Sequence, residues 1–340
     1  VQRPESSDNA ISGRVTPEFS LIARHFDRPA IKALLGVGDD CALWLPTAGQ
    51  ALAVSTDTLV SGVHFFANMD AVKLGHKSLA VNLSDLAAMG ATPRCFTLAL
   101  TLPQIDDRWL TAFASGMFSL AAKHGIELIG GDTTRGPLSI NITVMGEVDA
   151  DTALRRDAAR AGDDIWVSGN LGGAALALRR LGPDGGNLGV AAALIEKLET
   201  PQPRIALGTA LRGIAHSAID ISDGLVADLG HIASRSGLKA TLFWNDIPKH
   251  PALGEEADSV QQACVLAGGD EYELCFSAPV SSRAAMPGIS ESLGLTLSRI
   301  GSFSGGDAAV EVIDVSGDRL GLPTLGFDHF SQQPVTSNEA

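Results

Sequence analysis

The residues most able to do chemistry in this chain are aspartates that interrupt apolar runs. Asp39 and Asp40 stand in GVGDDCAL, Asp57 in AVSTDTL, Asp85 in AVNLSDLAAMG, Asp132 in LIGGDTTRG, and Asp220 and Asp223 in AIDISDGL. A carboxylate beside a core is costly unless it is paired or bound to a cation. Ser55 and Thr56 precede Asp57, so the donors on offer are all oxygens. That set suits Mg²⁺, which takes one or two carboxylates and completes its shell with water and phosphate. His64 and His76 form no zinc-binding spacing with these aspartates. Taken singly, each aspartate also reads as a turn or a cap, Asp223 as the N-cap before Gly-Leu and Asp39 as an Asx turn.

Other chemistries lack their signatures. There is no GxxxxGK[ST] phosphate loop, no GxGxxG after a strand, no GxSxG elbow, and no local Ser/His/Asp or Cys/His pattern. The run Ser168-Gly169-Asn170-Leu171-Gly172-Gly173 reads first as a tight strand-to-helix turn and second as a cradle of backbone N–H groups for an anion.

The elements that must carry these residues alternate between strand and helix, a pattern of α/β or α+β type. Periodicity predicts helices over Glu18 to Phe26, Ala71 to Met89 and Asp107 to His124, and strands over Gln50 to Ser55 and Arg94 to Leu102. Ile126 to Ile129 and Leu138 to Val148 read as two strands around a glycine-rich turn. In the helix from Ala71, the residues Ser78, Asn82 and Asp85 fall at i, i+4 and i+7, a polar line able to face a cleft. The charged segment Asp151 to Asp164 marks a domain boundary. Beyond it come a strand at Ile165 to Val167, helices over Ala174 to Leu181, around Leu188 to Leu198 and from Arg204, and a strand, turn and helix over Ser217 to Ser236. Strands near Ala240 to Phe243, Glu271 to Phe276 and Leu297 to Ile300 follow. The expected organisation is an arm over 1–17, an N-terminal domain over 18–150, a C-terminal domain over 151–330 and a polar tail over 331–340.

Composition narrows the partners. With 25 Lys and Arg against 39 Asp and Glu, the formal charge of −14 argues against nucleic acid and anionic membranes. Cys41, Cys95, Cys264 and Cys275 are far apart and form no CxxC pair, which suits a reducing cytoplasm. No stretch reads as a membrane span or a signal peptide.

Taken in order, GVGDDCAL, STDTLVSGVHF, KSLAVNLSDLAAMGATP, LIGGDTTRGPLSI, SAIDISDGLVADLGHIA, AGGDEYELCF and the terminal GFDHF resemble thiamine-monophosphate kinase. That family belongs to the superfamily of aminoimidazole ribonucleotide synthetase and selenophosphate synthetase, and the likeness runs from about Glu18 to Phe330. It implies a two-domain α/β (α+β) fold like that of aminoimidazole ribonucleotide synthetase, with N-terminal domains paired in a homodimer through the apolar strand Arg94 to Leu102. It also implies a kinase that moves the γ-phosphoryl group of ATP to thiamine monophosphate, with several Mg²⁺ ions. By the same resemblance Asp40, Ser55, Thr56, Asp57, Asp85, Asp132, Asp220 and Asp223 match magnesium ligands, and Gly131, Asp132, Arg156 and Ser222 match ATP contacts. His64, Asp270 and Phe327 fall where the family holds thiamine phosphate.

At Asp270-Glu271 the usual family order, Glu-Asp, is reversed, and the substrate carboxylate is one methylene shorter. A strand starting there would put the two side chains on opposite faces, leaving the substrate role with Asp270. The expected transfer is direct and in line, without a protein base, because an acceptor phosphate with a second pKa of about 6 is already ionised at neutral pH. Two alternatives stand beside it. A sister synthetase would carry a reactive Cys near one end of the chain, and none precedes Cys41 or follows Cys275. A non-catalytic nucleotide or cation-binding module would bind without making product.

Overall fold

The computed structural model describes residues 17–182, 185–186 and 189–321. Two sheets organise them. The first uses β1 (Ala51–Val60), β2 (Thr92–Leu102), β3 (Glu127–Arg135) and β4 (Ser139–Val148) in the order β1-β4-β2-β3. β2 and β3 run parallel and the other neighbours antiparallel. Along β1 the side chains alternate, Ser55 and Asp57 partly buried and Leu52, Val54, Thr56 and Thr58 exposed, the two-residue period of a strand covered on one face. Helices α1 (Pro17–His25), α2 (Ala71–Ala88) and α3 (Asp107–His124) pack with this sheet into one apolar core.

The α2 helix is buried almost all round, from Leu74 to Ala88, as a helix held between two layers must be. Asp70 caps its start by accepting from the Lys73 N–H. Asp106 does the same for α3, and Gly125 ends α3 in the left-handed conformation. The two helices approach very closely at Gly75 and Gly116: a Cβ on Gly116 would lie 1.8 Å from the Val72 carbonyl oxygen.

The second sheet joins β5 (Asp164–Ser168), β6 (Ser217–Asp220), β7 (Lys239–Phe243), β8 (Leu274–Ala278), β9 (Leu297–Ser304) and β10 (Ala309–Ile313) in the order β10-β7-β9-β5-β8-β6. Its inner strands β5 and β8 are buried at every position. Around it lie α4 (Gly173–Arg180), α5 (Ala192–Glu199), α6 (Ile205–Ala210), α7 (Leu225–Ser236), α8 (Asp258–Leu266) and α9 (Met286–Leu293). A further apolar cluster unites Ala87 and Ala88 of α2 with Leu154, Trp166, Leu207 and Phe276, so α2 is packed into both halves.

Three expectations change. The glycine-rich stretch after Ile129 is strand, not turn, because β3 continues to Arg135 beside β2. Gly131 is needed there since a Cβ would sit 1.9 Å from the Leu98 carbonyl oxygen. β8 begins at Leu274 rather than Glu271, because Asp270 (φ 61°) and Tyr272 (φ 49°) take left-handed backbone that breaks an extended run. β1 runs on to Val60 rather than ending at Ser55, which places Thr56 and Asp57 on the strand; β2 lies between β4 and β3, and the edges of the sheet are β1 and β3.

Gly116→Ala forces α2 and α3 apart and should cost about 1–3 kcal/mol, the range for overpacking a filled contact. Urea denaturation should show a lower midpoint with an unchanged slope; an unaltered midpoint would mean that the two helices do not meet this closely.

Candidate active site

The polar side chains of α2 supply the site's framework by reaching β1, β6 and the 268–273 loop. Asn82 accepts from the Asp57 N–H of β1 at 3.1 Å and donates to the Ser78 carbonyl. Ser84 donates to Asp220 of β6 at 2.7 Å. Asp85 accepts from Ser55 of β1 at 2.5 Å. Lys77, 2% exposed, faces Asp270 at 3.0 Å. The polar line therefore divides: Asp85 reaches a cleft, while Ser78 turns back on the Leu74 carbonyl and Asn82 braces the strand.

The opposite wall is built by two loops stitched together. Residues 222–224 are gathered by the Asp228 carboxylate, which accepts from the N–H groups of Ser222, Asp223 and Gly224 at 3.1 Å each, an acid in the first turn of α7 closing its own helix start. Asp270 and Tyr272 donate their N–H groups to the carbonyls of Ser222 and Ile221. Gly269 permits this approach, since a Cβ there would fall 2.3 Å from the Ser222 carbonyl oxygen.

Between the walls lies a cavity of about 830 Å³ bordered by Asp57, Asp85, Asp220, Ser222, Asp223 and Asp270, and also by His64 and Arg179. A second cavity of about 350 Å³ shares Asp85 and is lined by Ser55, Arg155, Arg156, Asp157 and Arg235. The carboxylates press on one another. Burial, then Asp85 and Asp223, pushes Asp57 up to about 6. Burial, then Asp85, takes Asp220 up to about 7 against the Ser84 hydrogen bond. Asp85 is also raised, by burial opposed by Ser55 and Arg156, and Asp228 reaches about 8 through burial and its neighbours Asp220 and Asp223. A cation among them would relieve exactly this repulsion in kind. Among the described residues no group of three His, Cys, Asp or Glu side chains is placed to hold a metal ion by itself.

Known proteins place this arrangement. The family described as "AIR synthase related protein, N-terminal domain" matches residues 38–148. Thiamine-monophosphate kinase of Salmonella typhimurium is 45% identical over 327 residues, 92% of this chain and 98% of that protein. The chain belongs to the thiamine-monophosphate kinase family. The crystal structure of thiamine-monophosphate kinase from Stenotrophomonas maltophilia K279a superposes with a TM-score of 0.79 at 49% identity, over 88% of this chain and 96% of that one. AaThiL complexed with AMPPCP and TMP superposes with a TM-score of 0.71 at 28% identity, over 84% and 89%.

Of the residues that likeness to thiamine-monophosphate kinase singles out, Asp57, Asp85, Asp220, Asp223, Ser222, His64 and Asp270 border the larger cavity, and Ser55 and Arg156 the smaller. Thr56 also borders the larger one, but its hydroxyl is engaged by the Ile142 carbonyl and the Thr143 hydroxyl on the sheet's other face. Neighbours on a strand point oppositely, so Ser55, Thr56 and Asp57 do not present three side chains to one point. Asp40 stands exposed in the segment between α1 and β1. Gly131 and Asp132 lie on β3, at the far edge of the first sheet from β1, beside a different small hollow. Phe327 lies outside the described residues.

Glu271 is buried away from the cleft, where it accepts from the Ala174 N–H at the start of α4. The acceptor at the glycine-rich turn over 168–173 is thus the chain's own carboxyl group, which burial pushes up to about 7. Sequence reading passed over Lys77, Ser84, Asp228 and Arg235. A lysine inside the apolar run LGHKSLAVNL and an acid five residues after Asp223 were the available signals.

The pKa shifts fix the sign of a stability change. Asp220, Asp228 and Glu271 keep protons in the folded chain that the unfolded chain has released by neutral pH, so their stabilising contribution is present below their unfolded values and disappears as pH rises through about 7 to 8. His76, His124 and His250, all lowered, act oppositely but only below about pH 6.5. Metal-free protein should therefore lose stability to urea from about pH 6.5 to about pH 8.5, and Mg²⁺ should reduce the loss by binding only the folded form. A rise across that interval would contradict the shifts.

Proposed function

We propose that this chain is a thiamine-phosphate kinase, transferring the γ-phosphoryl group of ATP to thiamine monophosphate to give thiamine diphosphate and ADP. The observation that carries the reading is the meeting of Asp57, Asp85, Asp220 and Asp223, drawn from both halves, on one cleft in a member of this family.

Donor and acceptor are both anions, and an acidic wall repels them. When bound, magnesium supplies the positive charge that lets the two phosphates meet. Asp57, Asp85, Asp220 and Asp223 would share several such ions, one or two carboxylates to each, with Ser55 keeping the Asp85 carboxylate oriented. Arg156, on the wall of the smaller cavity beside Ser55 and Asp85, offers fixed charge to the nucleotide's phosphates, and Ser222 lines the larger cavity. His64 and Asp270 border the space left for the thiamine moiety. The imidazole is fixed by the Val60 N–H, which donates to His64 Nδ1 at 3.0 Å. No side chain has to remove a proton, because the acceptor oxygen is ionised already. The roles of Asp40, Thr56, Gly131, Asp132 and Phe327 rest on the resemblance alone.

A homodimer belongs to the same reading. The exposed Leu52 and Val54 on edge strand β1 are the supporting feature, in place of the interior β2. So does a division into domains near residue 150, since one sheet lies within 51–148 and the other within 164–313. All four cysteines are free, which suits the cytoplasm, and no helix among the described residues is long and apolar enough to cross a membrane.

Thiamine diphosphate should form from ATP and thiamine monophosphate only with Mg²⁺ present; binding of both without product would leave a non-catalytic module. Asp57→Asn and Asp85→Asn, nearly isosteric but poorer ligands, should each lower kcat at least about 100-fold with the fold intact by circular dichroism. Near-normal turnover in both sinks the metal assignment. Light scattering of the active enzyme should give twice the 35.2 kDa chain mass, and a fully active monomer would remove the dimer.

A further inference from the structure

Lys77 takes part in none of the steps above, yet its ammonium is buried in α2 and borders neither cavity. A buried ammonium needs an opposite charge, and this one meets Asp270 Oδ1 at 3.0 Å. Tyr272 donates its hydroxyl to the same oxygen at 3.2 Å. Both donors converge on Oδ1, and among the described residues Oδ2 takes no side-chain donor, while Asp270 borders the cleft. The backbone at Asp270 and Tyr272 is left-handed, a conformation that persists in such residues where the surroundings fix it. The Asp270 N–H bond to the Ser222 carbonyl and the Lys77 pair provide that fixing.

An ammonium this close offsets a large part of the carboxylate's field, and more of it the greater the distance, so the pair attracts a distant cation weakly. It still accepts a directional hydrogen bond at Oδ2. Thiamine monophosphate offers both kinds of partner, a thiazolium cation and an exocyclic amine on its pyrimidine. We propose that Lys77 is a positioning residue for recognition of the acceptor: from behind the cleft wall it neutralises Asp270 and aims Oδ2 as an acceptor for the pyrimidine amine rather than as a counter-ion for the thiazolium. This rests on the reading of Asp270 as a contact to thiamine monophosphate.

A double-mutant cycle on the full-length enzyme tests it, with Lys77→Met, Asp270→Asn and the pair together. Asn is chosen because it tolerates left-handed backbone. Each single change should raise KM for thiamine monophosphate about fivefold, and the double variant should be no worse than Asp270→Asn alone, as expected when one residue acts through the other. KM for ATP should stay within about twofold throughout, and Lys77→Arg should restore KM for the acceptor to within about twofold of the parent. The parent enzyme should also discriminate against the acceptor analogue with oxygen in place of the pyrimidine amine, and Lys77→Met should lose most of that discrimination. Independent penalties, multiplying to about 25-fold in the double variant, overturn the role of Lys77 and leave that of Asp270 standing. An Asp270→Asn enzyme with parental KM overturns the Asp270 reading itself, and the inference with it. Should Lys77→Met alone not fold, the double variant, which removes both charges together, still decides by comparison with Asp270→Asn: equal KM supports the proposal and a further rise overturns it.

Discussion

Everything in this site depends on α2 being buried almost all round while carrying polar groups, most of them out of reach of water. Burying such groups unpaired costs more than the fold can spare, so each has to find a partner on another element. Asn82 finds the backbone of β1, Ser84 finds Asp220, Asp85 finds Ser55 and Lys77 finds Asp270. These pairings pin the first sheet, β6 and the 268–273 loop to one helix. The close contact of α2 with α3 at Gly75 and Gly116, and with α6 at Gly208, leaves the helix little room to shift.

The same rigidity maintains an electrostatic conflict. Carboxylates that would separate in a flexible chain are held on one cleft, where burial and mutual repulsion push Asp57 to about 6 and Asp220 to about 7. Asp228 shows the conflict within a single group: three backbone N–H donors favour its ionised form, yet burial and two nearby aspartates prevail and raise it. A site destabilised in this way when empty has the most to gain from a divalent cation bridged to phosphate. Stability given up locally and preorganisation for two anionic substrates are one arrangement seen from two sides.

Glycine and left-handed backbone are what allow the walls to approach. Gly269 lets the 268–273 loop lie on the Ser222 carbonyl, and the turns at Asp270 and Tyr272 send successive side chains different ways. Asp270 borders the cleft while Glu271 caps α4 from inside. A strand at this point would also have separated the two carboxylates, but it would not have brought the Tyr272 hydroxyl back onto Asp270.

The sequence by itself determined the alternation of strands and helices, the extent of α3 and nearly that of α2, the oxygen-rich character of the site and the family. Those are local or pattern properties, set by period, capping residues and motif order. It also held the aspartates of the cleft, since Asp57, Asp85, Asp220 and Asp223 each interrupt an apolar run. Tertiary structure alone decided which of the marked residues share a space. Asp40, Gly131 and Asp132 carry equally conspicuous motifs, yet a loop exposes the first and the strand order carries the others to the far edge of the sheet. Lys77 shows the reverse. Nothing in its spacing names a partner 193 residues away, because an ion pair depends on distance in space, and that distance exists only after two loops and a helix have packed.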